Sequence, residues 1–306
     1  MTTVLEARGL VKTFGRVRAL DGLDLEVREG EVHGFLGPNG SGKSTTIRIL
    51  LGLLRARSGD VAVFGRDPWK DAVGVHRRVA YVPGDVALWP NLSGGETIDL
   101  LTGLRGGADP AERRRLLDVF DLDPRKRARG YSKGNRQKVA LVAAFARRAD
   151  LYIFDEPTSG LDPVMESVFR REVERVRADG ATVLLSSHIL SEVEQLGERV
   201  TIVRAGRAVE TGTLAEMRHL TRSTVRVATA ATPAEIAKLP GVHGVTTEAG
   251  QLVFDVDTDG VQGVLAALAA AGMSAITITP PSLEELFLRH YGDRIDVPSD
   301  PASAAA

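Results

Sequence analysis

Leu151–Pro163 reads LYIFDEPTSGLDP. An apolar run ends in two adjacent carboxylates, Asp155 and Glu156, and a tight turn with a third carboxylate, Asp162, follows. The run has the length and content of a buried strand, and in a parallel sheet the carboxyl ends of strands face the ligand crevice. A carboxylate at that end can hold a cation, directly or through water. Its neighbour can take a proton from an attacking water. Asp155 fits the first role and Glu156 the second. Taken alone, Glu156 would suit a surface ion pair, but its place between Asp155 and Pro157 favours the base.

A second motif lies upstream. Gly37–Thr45 reads GPNGSGKST and fits the G-x-x-x-x-G-K-[ST] phosphate loop. EVHGFLG before it has the pattern of a buried strand, and STTIRILLGLL after it that of an apolar helix. Gly37, Pro38, Asn39, Gly40, Ser41, Gly42, Lys43, Ser44 and Thr45 are therefore expected to bind a nucleotide. The glycines let backbone N–H groups turn toward phosphate, and the following helix presents the positive end of its dipole. Lys43 is a point charge for the β- and γ-phosphates, and Thr45 contacts the α-phosphate. Ser44 offers a hydroxyl to Mg²⁺ beside Asp155. ATP and Mg²⁺ are the expected cofactors.

On these two motifs, residues 3–218 resemble the ATP-binding subunits of ABC transporters. The resemblance implies further roles. Phe14, in VKTFG, falls where the family places an aromatic that stacks on adenine, though a lone aromatic near a strand also suits a core. His188, in LLSSHIL, follows another apolar strand and matches the switch histidine at the γ-phosphate, so Glu156 and His188 form the expected catalytic pair. Asp162 matches the acidic residue of the loop that crosses to a second subunit.

The family's signature loop has two candidates here. Leu92–Glu96, LSGGE, is the better literal match but lies too far upstream; it reads instead as a helix start with a Ser93/Glu96 capping box. Tyr131–Asn135, YSKGN, precedes the helix that leads into the Asp-Glu strand and has the right position. Ser132 and Gly134 are kept, while Lys133 and Asn135 replace the usual glycine and glutamine. The four residues read as a second anion site for an ATP held by another subunit. A further departure is Gly84, in YVPGD, where the family carries Gln or Glu. Either Asp85 substitutes or the loop acts as a hinge; the hinge is the expectation.

The 306 residues suffice for two domains, and a net charge of −1 is not the footprint of a general nucleic-acid binder. There is no cysteine, hence no disulfide framework and no thiolate metal site. The first residues lack a signal-peptide core, and no run approaches the roughly 18–20 apolar residues of a membrane span. A pore would have to come from another polypeptide.

Residues 3–35 read as short apolar strands broken by glycine. Residues from about 84 to 140 read as a helical subdomain that docks on a membrane partner. Arg125–Lys138 (RKRARGYSKGNRQK) is strongly basic, which suits either a solvated face or attraction to phosphate or anionic headgroups. Trp89 and Pro90 suit either the docking surface or a buried site. After about Gly212 the order β-α-β-β-α-β suggests a small ferredoxin-like α+β domain over 219–292, with a hairpin around Gly250. Its last helix would be capped by Ser282 and would carry Leu283–Phe287, LEELF, a phrase shared with drug-resistance-type subunits whose permease is separately encoded. Residues 293–306 read as a disordered tail.

The expected fold is thus an α/β P-loop nucleotide-binding domain with a helical subdomain over 1–218, followed by the small α+β domain. The implied function is ATP hydrolysis that powers export of drugs, lipids or other cargo. Two copies would meet head to tail at the cytoplasmic face of the membrane, against integral-membrane permease subunits, with no nucleic acid. A soluble non-transport ABC ATPase and a nucleotide-gated regulatory module are the alternatives.

Overall fold

The computed structural model describes residues 2–219 and 222–279. The chain divides into two compact units, one ending at Thr213 and one beginning at Leu214. The first runs through β1 (Thr3–Phe14), β2 (Val17–Arg28), β3 (Val32–Leu36), α1 (Lys43–Leu50), β4 (Ser58–Val63), α2 (Ala72–His76) and β5 (Val79–Val82). Next come α3 (Gly94–Gly103), α4 (Pro110–Val119), α5 (Lys133–Phe145), β6 (Leu151–Asp155), α6 (Pro163–Ala178), β7 (Thr182–Ser187), α7 (Leu190–Leu196), β8 (Arg199–Arg204) and β9 (Arg207–Thr213).

Strands β3, β6 and β7 are buried at every residue, as expected of strands covered on both faces. They lie inside a six-stranded sheet of order β5-β6-β7-β3-β8-β9. All neighbours are parallel except the edge pair β8–β9. The parallel order puts the carboxyl ends of β3, β6 and β7 side by side. Gly37, Asp155–Glu156 and His188 therefore emerge at one edge of the sheet from three distant stretches of sequence.

A second sheet of order β2-β1-β4 packs on this core. Its strands differ from the short segments expected: β1 and β2 each run 12 residues straight through their glycines. Gly9 (φ 57°) and Gly22 (φ 79°) lie at irregularities in the β1–β2 register, so they bend the ladder without ending it.

The helical segment begins later than the sequence suggested, because residues 83–92 carry no helix and α3 starts at Gly94. The capping box is formed: Ser93 Oγ accepts from Glu96 N at 3.1 Å and Glu96 Oε2 from Ser93 N at 2.7 Å. Helix α5 anchors this segment through Phe145, whose ring centroid lies 5.6 Å from Tyr152, 5.5 Å from Phe154 and 6.3 Å from Phe169. An ionic cluster joins α4 to α6. Glu172 is buried and accepts from Arg115 Nη2 at 2.5 Å and Arg175 Nε at 2.9 Å, while Glu112 pairs with both arginines. Trp89 is half exposed and lines an apolar groove with Leu53, Leu101 and Leu104.

The second unit contains α8 (Leu214–His219), β10 (Ser223–Thr229), α9 (Pro233–Ile236), β11 (Val242–Glu248), β12 (Gln251–Val256), α10 (Val261–Ala270) and β13 (Met273–Thr279). Its antiparallel sheet has the order β11-β12-β10-β13, and Val225, Val227, Phe254, Val264 and Leu268 fill its core. The β11–β12 hairpin turns at Ala249 and Gly250, both at positive φ (48° and 78°), the backbone form a tight hairpin requires. Ser282, Leu283–Phe287 and the tail lie outside the described residues. Among the described residues no helix is long and apolar enough to cross a membrane.

Candidate nucleotide site

The phosphate loop leaves β3 at Leu36 and enters α1 at Lys43. Gly40 (φ 81°) and Gly42 (φ 112°) adopt backbone that other residues rarely take. A Cβ at Gly37 would stand 2.5 Å from Ser41 Oγ and from Val203 O, so only glycine fits that bend. Helix α1 has no side-chain cap at Gly42, which leaves its first N–H groups directed at the loop. Ser41 Oγ is buried without a partner. A concave, amide-lined loop with an orphaned hydroxyl and an uncapped helix fits a polyphosphate.

Lys43 fills the centre of this loop. It is buried, and its Nζ donates to Gly37 O at 2.6 Å and to Pro38 O at 3.2 Å. Burial lowers its pKa, and the nearby carboxylates of Glu156 and Asp155 oppose that shift. Ser44 is exposed on the first turn of α1, and Thr45 is half-buried.

Asp155 ends β6 in a buried position, and its Oδ1 accepts from Ser186 Oγ at 2.6 Å. Glu156 follows at φ 50°, an unusual backbone for a residue with a side chain and one that recurs at functional sites. Its N–H is held by Ser186 O at 3.0 Å. Glu156 Oε1 lies 3.6 Å from Lys43 Nζ and 3.3 Å from His188 Nδ1. The phosphate loop, the Asp-Glu strand and His188 thus meet at one carboxylate.

Gly84 abuts this point. A Cβ there would stand 3.0 Å from Asp155 O and 3.6 Å from Glu156 Cβ. The position that lacks the family's Gln therefore borders Asp155 and Glu156, and Asp85 beside it is exposed.

The signature residues form a separate cluster. Ser132 caps α5, its Oγ accepting from Asn135 N at 3.2 Å. Lys133 Nζ donates to Ser159 Oγ at 2.7 Å, and a Cβ on Gly134 would stand 2.5 Å from Gly160 O. These contacts tie the start of α5 to the turn after Glu156. Asp162 caps α6, accepting from Val164 N and Met165 N at 3.0 Å each. Phe14 is 49% exposed at the end of β1, which rules out the core alternative, and Lys12 Nζ lies 5.3 Å from its ring centroid.

Sequence reading missed Ser186, Thr158 and Glu192. The hydroxyls of LLSSHIL gave the one available signal, polar residues at the end of an otherwise apolar strand.

Comparison with known proteins identifies the family. Residues 20–159 match the ABC transporter family model, and residues 212–291 match the C-terminal domain of DrrA1-3-like ATP-binding proteins. The daunorubicin resistance ATP-binding protein DrrA3 of Streptomyces coeruleorubidus is 36% identical over 95% of this chain and 96% of its own length. The linearmycin resistance ATP-binding protein LnrL of Bacillus subtilis is 28% identical over 94% of this chain and 98% of its own. A solved ATP-binding subunit of an ABC transporter, 33% identical, superposes with a TM-score of 0.66 over 71% of this chain and 92% of that one. A dimeric bacterial ABC transporter cassette, 23% identical, shares the fold with a TM-score of 0.62 over 69% of this chain and 98% of that one. The chain belongs to the ABC transporter family, as an ATP-hydrolysing, ATP-binding subunit of the DrrA-like resistance branch.

Proposed function

We propose that the chain hydrolyses ATP·Mg²⁺ between two head-to-tail copies and thereby drives a separate permease that exports a drug or antibiotic. The convergence of Lys43 and His188 on the Glu156 carboxylate carries this reading. Lys43 and the loop amides bind the β- and γ-phosphates. Ser44 and Asp155 would hold Mg²⁺, which would supply positive charge to neutralise the phosphates. Glu156 takes a proton as the oxygen of the attacking water bonds to the γ-phosphorus and the bond to the ADP oxygen breaks. His188 orients the γ-phosphate. Phe14 stacks on adenine, and Asp162 belongs to the loop that meets the second copy. Ser132, Lys133, Gly134 and Asn135 offer the start of α5 to the γ-phosphate of the other copy's ATP.

Docking on the permease uses the apolar groove at Leu53, Trp89, Leu101 and Leu104. The exposed cations Arg125, Lys126, Arg127 and Arg129 favour the anionic inner face of the membrane, which would make the subunit cytoplasmic and peripheral. The small second unit is ferredoxin-like, a reading supported by its β-α-β-β-α-β order and its strand order β11-β12-β10-β13. An antibiotic cargo is supported by the resistance relatives that match end to end. Lys43→Ala tests the core of the reading: ATP affinity is expected to fall by about two orders of magnitude, as for loss of a charge-assisted contact. Undiminished affinity would contradict the phosphate-loop assignment.

A further inference from the structure

We propose that Glu192 is a positioning residue that couples the His188 segment to the turn after Glu156. This rests on the reading of His188 and Glu156 given above. Glu192 lies in the first turn of α7 and reaches two other segments at once. Its Oε1 accepts from Thr158 Oγ1 at 2.5 Å, and its Oε2 accepts from Ser187 Oγ at 2.6 Å. The Ser187 hydroxyl also accepts from Ile189 N at 2.9 Å, so it brackets His188 on both sides.

These contacts complete a ring. Glu156 leads through Pro157 to Thr158; Thr158 bonds Glu192; Glu192 bonds Ser187; and His188, next in sequence, returns to Glu156 Oε1 at 3.3 Å. Thr158 also opens the turn that ends at Asp162, with Leu161 N donating to Thr158 O at 2.9 Å. One carboxylate thus fixes the histidine relative to the base and to the crossing loop. A carboxylate in a first helical turn favours the helix by itself, but that role needs no bond to hydroxyls on two other segments. Both bonds run from a hydroxyl to a carboxylate and are charge-assisted, and the side chain is half-buried, as suits a clamp. Because His188 and Ile189 are exposed, little packing holds their segment, and the clamp supplies that order.

The test is steady-state hydrolysis by the full chain carrying Glu192→Ala, Glu192→Gln or His188→Ala, with melting temperatures measured alongside. Glu192→Ala is expected to lower kcat about tenfold or more, as misplacement of a reacting group does, with KM for ATP within about twofold. Glu192→Gln keeps the shape and can bond both hydroxyls, its amide oxygen accepting from one and its NH2 donating to the other, and is expected to recover most of the rate. A wild-type kcat in Glu192→Ala, with the rate lost in His188→Ala, would overturn the positioning role alone. An unchanged rate in His188→Ala would remove the histidine reading on which the proposal stands. Equal losses in Glu192→Ala and Glu192→Gln that follow a lowered melting temperature would mean a scaffold role and would also overturn it.

Discussion

The Lys43 cluster and the Ser132 cluster both sit at the start of a helix, yet the chain treats them differently. Around Lys43 the chain closes on itself: the ammonium is buried, Gly37 and Gly42 admit no Cβ, and Asp155 is pinned by Ser186. Around Ser132 the side chains of Ser132 and Lys133 are exposed; Ser132 caps its own helix, and Lys133 bonds Ser159 in the neighbouring turn. The first cluster is a finished pocket; the second is a presented surface. The difference is the one that the proposed head-to-tail pairing requires: a phosphate grip within one copy and a surface offered to another. Lys133, bonded to the turn that leads to Asp162, would link the two under that proposal.

Breaking the finished pocket should have the largest effect. Glu156→Gln is expected to lower hydrolysis by about 10³-fold, within the range for removal of a general base, while ATP affinity stays near wild type. Steady-state assay and nucleotide titration check both halves of that statement.

The next effect concerns stability. Glu172 is buried; burial raises its pKa, but hydrogen bonds from Arg115 and Arg175 outweigh that and hold it below 4.5. A carboxylate with a depressed folded value stabilises fully above its unfolded value and loses that contribution as pH falls through the folded one. Glu172→Gln should therefore destabilise the fold at pH 7 by about 3 kcal/mol, the low end for a broken buried pair because Arg115 and Arg175 remain partly solvated. The gap from wild type should close below pH 4.5, as urea unfolding across pH would measure.

Smaller effects sharpen the comparison itself. Ser132→Ala should leave nucleotide affinity of a single copy unchanged but weaken ATP-driven pairing about tenfold, the cost of one charge-assisted hydrogen bond. An equal loss of single-copy affinity would erase the distinction between pocket and surface. Phe14→Ala should weaken nucleotide binding by only about three- to tenfold, as expected for one exposed stacking contact. Calorimetry with a non-hydrolysable ATP analogue would resolve it.

Much of the site was legible because the fold forces residue types: glycines where no Cβ fits at Gly37 and Gly42, a lysine at the head of the helix that follows them, and two carboxylates at the end of an apolar strand. The three motifs could be assigned to one sheet edge because parallel strands place their carboxyl ends together. The capping box at Ser93 was legible from local spacing alone. The long strands β1 and β2 were not, because Gly9 and Gly22 look like breaks unless the bulged pairing across the ladder is known. Ser186, Thr158 and Glu192 escaped for a related reason. Their importance lies in which distant partner each hydroxyl or carboxylate meets, and spacing along the chain does not carry that information.

The most direct test of the central claim is the mass in solution of the Glu156→Gln protein with and without Mg-ATP, by light scattering. A finished pocket facing a presented surface requires a monomer without nucleotide and an ATP-dependent dimer, abolished by adding Ser132→Ala. A protein that binds ATP but stays monomeric, with and without its permease, would contradict the account.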